Sequence, residues 1–198
     1  SHYIDVAERA LYNTVLAGIA LDGKSFFYVN PLEVWPQACI DGTSKKHVKS
    51  IRQKWFGVAC CPPNIARTLA SLGQYIYAVK EEPGQLYLNL FISNECEIDG
   101  VKITVETRFP YENHIAVKVS GLPEEGMELL VRIPDYARNY QLTVNGSAAG
   151  EAGDDGYWKV HLKDDCDIAV VFEAPAHFVY ANPHSPRSEE RRVGKECR

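Results

Sequence analysis

The 198-residue chain lacks any apolar run approaching the ~18 residues of a membrane span, and Ser1 opens no secretory signal peptide. It has no surplus of positive charge. Lys+Arg 21 against Asp+Glu 26 gives −5, which sets aside a nucleic-acid partner held by bulk electrostatics. Internal repeats and low-complexity stretches are missing as well. Cysteine is too sparse for a disulfide scaffold: six thiols are spread over the chain, and adjacent Cys60 and Cys61 cannot comfortably bridge each other. Free thiols or a metal site in a reducing compartment account better for the count, so a cytoplasmic location is expected. What remains is 45% hydrophobic and 24% charged, the composition of an ordinary globular protein of one to two domains. The chain starts without Met and enters helical periodicity at once, and a fragment is expected.

From Tyr3 to Leu21, Ile4, Ala7, Leu11, Val15 and Ile19 recur at spacings of three and four. This predicts an amphipathic helix stopped by Asp22-Gly23. Ser25 to Val29 is β-branched and aromatic and predicts a strand ended by Asn30-Pro31. Pro31 to Val58, with Lys45, Lys46 and His47 clustered, predicts a long loop of functional rather than decorative kind. Pro62 and Pro63 suit the first turn of a second helix, whose stripe of Ile65, Leu69, Leu72 and Ile76 runs to about Val79. Beyond Pro83-Gly84 the pattern changes. Short alternating segments at 86–91, 101–107, 115–119, 129–133, 142–144, 158–162 and 168–172, separated by Gly, Pro, Asn or Asp, predict an antiparallel sandwich.

The last dozen residues, 187–198, carry five basic and three acidic groups without apolar period. The string resembles an in-frame translation of a sequencing-adapter oligonucleotide. It is treated as a non-native tail and set aside from functional reasoning, Cys197 included.

The strongest local signal is Cys60-Cys61-Pro62-Pro63-Asn64 at a helix start. Unpaired N–H groups and the helix dipole favour an anion there, and a thiolate is the anion cysteine supplies. A thiolate serves as nucleophile or as ligand to a soft cation such as zinc, although two sulfurs do not close a tetrahedral site. Two buried small hydrophobes would fit the spacing equally well.

The segments Glu8-Arg-Ala-Leu-Tyr-Asn13, Asp22-Gly-Lys-Ser-Phe-Phe-Tyr-Val-Asn-Pro-Leu-Glu33, Trp55-Phe56 and Ala59-Cys-Cys-Pro-Pro-Asn-Ile-Ala-Arg-Thr-Leu-Ala-Ser-Leu-Gly-Gln-Tyr-Ile-Tyr77 resemble the zinc-dependent β-L-arabinofuranosidases, glycoside hydrolase family 127. Arg132-Ile-Pro-Asp135 and Val144-Asn-Gly146 extend the resemblance through the sandwich, to about Pro186. The resemblance implies an α+β fragment: helices from the end of an (α/α)6 barrel over 1–82, then an antiparallel β-sandwich over 83–186. It implies that Cys60 is the catalytic nucleophile and that Cys60 and Cys61 are both metal ligands to zinc. The remaining ligands, in a Glu-x-Cys segment, and the acid/base glutamate are expected upstream of this chain. It further implies that Glu8 and Tyr28 bind substrate and that the partner is an arabinofuranoside-containing carbohydrate, with no nucleic acid and no membrane involved.

Without the resemblance, Glu8 would read as a solvent-facing helix acid and Tyr28 as a core aromatic. Trp55 could wall the pocket, with core packing the favoured reading; Cys39 is expected away from the metal, and His47 in solvent. Cys96 and Cys166 are expected to pack in or beside strands, and the sandwich shows no obvious sugar-stacking platform, although Tyr157-Trp158 could contribute to one. The competing class is a noncatalytic β-sandwich carbohydrate-binding or interaction module with structural cysteines.

Overall fold

The computed structural model describes residues 1–30, 34–43, 46–58, 60–80 and 84–176. The tail at 187–198 and Lys45 lie outside them. Helix α1 (His2–Arg9) continues as a π-helix, Ala10–Val15. Its inward face differs from the predicted stripe: Ala7 is exposed, whereas Asp5 and Glu8 are buried with Leu11. The predicted strand at Ser25 to Val29 does not form. Phe26 makes only isolated bridges to Ile19 and Gln53, because among the described residues no neighbouring segment extends far enough to complete a ladder. A 3-10 turn, Pro36–Ala38, interrupts the loop that follows.

Helix α2 (Cys61–Ala70) starts where the paired prolines require. It ends earlier than its apolar stripe predicts. Ser71 leaves helical geometry while its amide and hydroxyl both donate to the Arg67 carbonyl. A four-residue helix α3 (Gly73–Ile76) follows, and the chain then extends into β1 (Tyr77–Lys80). Val79, expected near a helix end, instead pairs with Leu86 of β2 (Gln85–Leu88). Long-range pairing has overridden the local period here.

The remaining strands are β3 (Asn94–Ile98), β4 (Val101–Thr107), β5 (His114–Ser120), β6 (Met127–Arg132), β7 (Arg138–Val144), β8 (Ser147–Ala148), β9 (Glu151–Ala152), β10 (Tyr157–Leu162) and β11 (Cys166–Glu173). They form two sheets, ordered β1-β2-β6-β10-β9 and β3-β4-β5-β11-β7-β8. Among the described residues all strand pairs are antiparallel except β2 with β6, which run parallel with Leu86 opposite Leu129. This corrects the expectation of a wholly antiparallel sandwich. The link from β2 to β6 passes through β3, β4 and β5 of the other sheet, a crossover long enough to permit parallel pairing. The Asn145-Gly146 pair, both at positive φ, makes the two-residue turn between β7 and β8.

Between the sheets lie Leu86, Leu88, Leu129, Val131, Val160 and Leu162 from one side. Ile103, Val105, Ile115, Val117, Leu142, Ile168, Val170 and Phe172 face them from the other. Ahead of residue 84, the buried apolar side chains among the described residues are Leu11, Phe27, Val48 and Ile76. The core therefore belongs to the sandwich. No described helix is long and apolar enough to cross a membrane.

Candidate active site

Two prolines and a helix start place the cysteines. Cys60 caps α2 in helical geometry without spending its side chain on the cap, and its thiol is exposed while Cys61 is half-buried. Asn64 donates through Nδ2 to the Cys60 carbonyl at 2.8 Å, and Arg67 holds Asn64 Oδ1 at 3.1 Å. The backbone beneath Cys60 is thus tied to the first turn of the helix. Across from it, the Tyr28 hydroxyl lies 2.8 Å from Cys60 Sγ. The Tyr28 ring rests on Phe56, centroids 5.6 Å apart, and Phe56 packs in turn on Phe26 at 5.3 Å. Tyr28 therefore does not end a buried strand; it is a partly exposed phenol positioned by an aromatic row.

The electrostatics distinguish the three groups. The Tyr28 hydrogen bond, followed by that of Cys61, holds the Cys60 thiol below its ordinary value of 9.0. Burial pushes Cys61 the other way. Tyr28, bonded to Cys60, is raised to about 12. Either atom can donate in this contact; when Tyr28 donates, the bond favours the Cys60 thiolate, which is the direction of its shift.

Cys60 Sγ and Cys61 Sγ are 3.7 Å apart, too far for a disulfide. Two thiolates at about 2.3 Å from one tetrahedral zinc stand about 3.8 Å from each other, so the pair fits as two of a zinc ion's ligands. Among the described residues no group of three His, Cys, Asp or Glu side chains gathers to complete such a site.

Glu8 lies in a second cluster. Its Oε2 accepts from Arg132 and its Oε1 from the Tyr136 hydroxyl at 2.7 Å. The same guanidinium donates to Asp5 Oδ1 and to the Asn89 carbonyl, each at 2.6 Å, with its carbon 5.6 Å from the Phe91 ring centroid. Arg132 is 0% exposed, and Asp5 and Glu8 are 3% exposed. At the rim, Arg9 pairs with Asp135. Burial outweighs the Arg132 guanidinium and raises the Glu8 carboxyl above its usual 4.5.

Residues 1–74 match the family described as Beta-L-arabinofuranosidase, GH127 catalytic domain, and residues 85–174 match the GH127 middle domain. The chain belongs to the GH127 family. A non-reducing end β-L-arabinofuranosidase of Bifidobacterium longum subsp. longum is 40% identical over 187 residues, which cover 91% of this chain and 28% of that protein. The crystal structure of a GH127 β-L-arabinofuranosidase from Geobacillus stearothermophilus T6 superposes with a TM-score of 0.79 at 41% identity, covering 92% of this chain and 29% of its own. A further glycoside hydrolase structure gives 0.80 at 31% identity, with 93% and 31% covered. The GH127 chain spans less than a third of the length of each of these relatives.

Other sequence expectations are corrected here. Trp55 is 67% exposed rather than packed in a core, while its neighbour Phe56 does the packing. Tyr157 is buried and donates to Asn89 Oδ1, and Trp158 stacks on Tyr140; the one contributor the sequence offered to a sugar platform is thus engaged inside the sandwich. His47 is exposed, Cys166 is buried and Cys96 is half-buried in β3, as expected. Asp5, Arg132 and Tyr136 were missed. Their signals were an acid three residues before Glu8 on one helix face and an Arg closing the apolar run of β6.

Proposed function

We propose that the GH127 chain supplies part of the active centre of a retaining glycosidase that releases β-L-arabinofuranose from arabinooligosaccharides or glycoconjugates. Its helical part would belong to an (α/α)6-barrel catalytic domain. The observation that carries this reading is the exposed Cys60 thiol at the start of α2, with the Tyr28 hydroxyl hydrogen-bonded to it at 2.8 Å and Cys61 Sγ beside it. Structural cysteines of a noncatalytic module would be buried; Cys60 is not. The name of the Bifidobacterium relative, a non-reducing end β-L-arabinofuranosidase, supports the substrate class.

In this reading the Cys60 thiolate attacks the anomeric carbon as the glycosidic C–O bond breaks. The departing oxygen takes a proton from a carboxylic acid supplied by another part of the protein. Water then displaces the sugar from Cys60, giving its proton to the same carboxylate. Two inversions leave the anomeric configuration retained. Cys60 and Cys61 would be zinc ligands; bound zinc would keep both sulfurs deprotonated, at some cost in nucleophilicity. Tyr28 orients Cys60 Sγ and offers its hydroxyl to the sugar. Glu8 is 3% exposed in this chain, so it would accept a sugar hydroxyl only through the lone pairs that Arg132 and Tyr136 leave free, on a face opened toward the rest of the catalytic domain.

The test uses the full-length enzyme that carries this chain. Cys60→Ser should abolish turnover of an aryl β-L-arabinofuranoside while retaining appreciable zinc, and Cys61→Ser should lose metal more severely. A mechanism-based sugar electrophile should label Cys60 alone. Labelling at Cys61, or near-normal turnover by Cys60→Ser, would overturn the assignment.

A further inference from the structure

The cluster around Arg132 joins the two parts of the chain in an unusual ratio. One fully buried guanidinium meets two buried carboxylates, Asp5 and Glu8, separated from it by more than 120 residues. A purely structural tie between helix and sandwich needs only one carboxylate, because a second leaves surplus negative charge out of water. Asp5 already supplies a direct ion pair to Arg132 and accepts the Asp135 amide at 3.4 Å. Glu8 is the extra acid, and both of its oxygens are gripped from the sandwich side, by Arg132 at the end of β6 and by Tyr136 just beyond it. Arg132 cannot drift, since its Nε is anchored on the Asn89 carbonyl and its guanidinium carbon lies over the Phe91 ring. On α1 alone the Glu8 side chain would keep its rotamer freedom; here it has lost it.

We propose that Arg132 and Tyr136 are positioning residues for Glu8, so that the β-sandwich holds the sugar-contacting carboxylate and forms part of the catalytic frame. The inference rests on the glycosidase reading above. Substrate affinity and turnover then depend on sandwich residues that never touch the sugar, and the depth of the buried tie keeps Glu8 in one orientation through the catalytic cycle.

The experiment is a double-mutant cycle in the full-length enzyme with Tyr136→Phe, Glu8→Gln and the two combined. Tyr136→Phe removes one hydroxyl from a half-buried ring, so the fold survives. It is expected to lower kcat/KM by about 10- to 100-fold, the loss of one hydrogen bond to a charged group. In the Glu8→Gln background it should add less than about twofold, because its effect passes through Glu8. Melting temperatures measured alongside identify a merely structural role: a lowered midpoint with kcat/KM intact, or effects that multiply in the double variant, would overturn the inference. An inert wild type would overturn the glycosidase reading and this inference together, whereas an active wild type with additive variants would overturn the inference alone.

Discussion

Replacing Arg132 by Met isolates the energetics of the buried cluster. Met keeps much of the arginine stem and can still lie against Phe91, so the substitution mainly deletes the charge and its bonds. Asp5 is then left with the Asp135 amide and Glu8 with the Tyr136 hydroxyl, and the Asn89 carbonyl loses its Nε donor. Removing one partner of a buried ion pair costs about 3–5 kcal/mol, a third or more of the stability of many domains. For a chain of this size each kcal/mol moves the melting midpoint by about 2–4 °C, so a fall of about 6–20 °C is expected near neutral pH. The sign of the pH dependence follows from Glu8. Burial already holds its folded-state value above 4.5, and losing Arg132 raises it further. A group raised on folding favours the folded state at low pH and loses that contribution as pH rises through the folded value. The penalty of Arg132→Met should therefore be largest near neutrality and shrink as the pH falls toward 4.5. Combining Arg132→Met with Asp5→Asn and Glu8→Gln removes the stranded charge and should recover much of the loss. Thermal melts followed by circular dichroism at several pH values measure all of this. A midpoint within about 3 °C of wild type at pH 7 would refute the reasoning, as would a penalty that grows on acidification.

Two further outcomes are expected of the 198-residue chain itself. In zinc-free protein, limiting iodoacetamide should alkylate Cys60 before Cys61, because hydrogen bonding lowers the one thiol and burial raises the other. Tyr28→Phe should narrow the preference, which should also close as the pH climbs above 9.0; peptide mass spectrometry showing Cys61 modified first would contradict the geometry. Hydrogen exchange should run faster in α1 than in β4 and β5, since Tyr3 and Val6 are exposed there while Val105, Ile115 and Val117 are sealed between sheets. Equal protection of the two regions in a monomer would count against it.

Much of the sandwich was legible because alternation is a local code. In β4 and β11 every second side chain is inward, and the segments 101–107 and 168–172 declare it without reference to any neighbour. The start of α2 was equally local: Pro62 and Pro63 have fixed φ and no N–H to lose, so a first turn suits them wherever they are placed. The Cys60-Cys61 pair needed only its adjacency and that helix start to mark it out. Other features have no local signature. Ser25 to Val29 has strand propensity but, among the described residues, no partner to complete a ladder, and Val79 follows a helical stripe yet pairs with Leu86. Trp55 looks like core material and is left exposed, because Phe56 takes the position against Tyr28. The bond from Tyr28 to Cys60 crosses 32 residues and the tie from Arg132 to Glu8 crosses 124. Backbone period and turn chemistry are properties of neighbours along the chain, and the amino-acid sequence by itself determined them. Whether a carboxylate can be buried, or a thiol's pKa lowered, depends on what charge or hydrogen-bond partner arrives from elsewhere in the fold, and only the tertiary structure decided that.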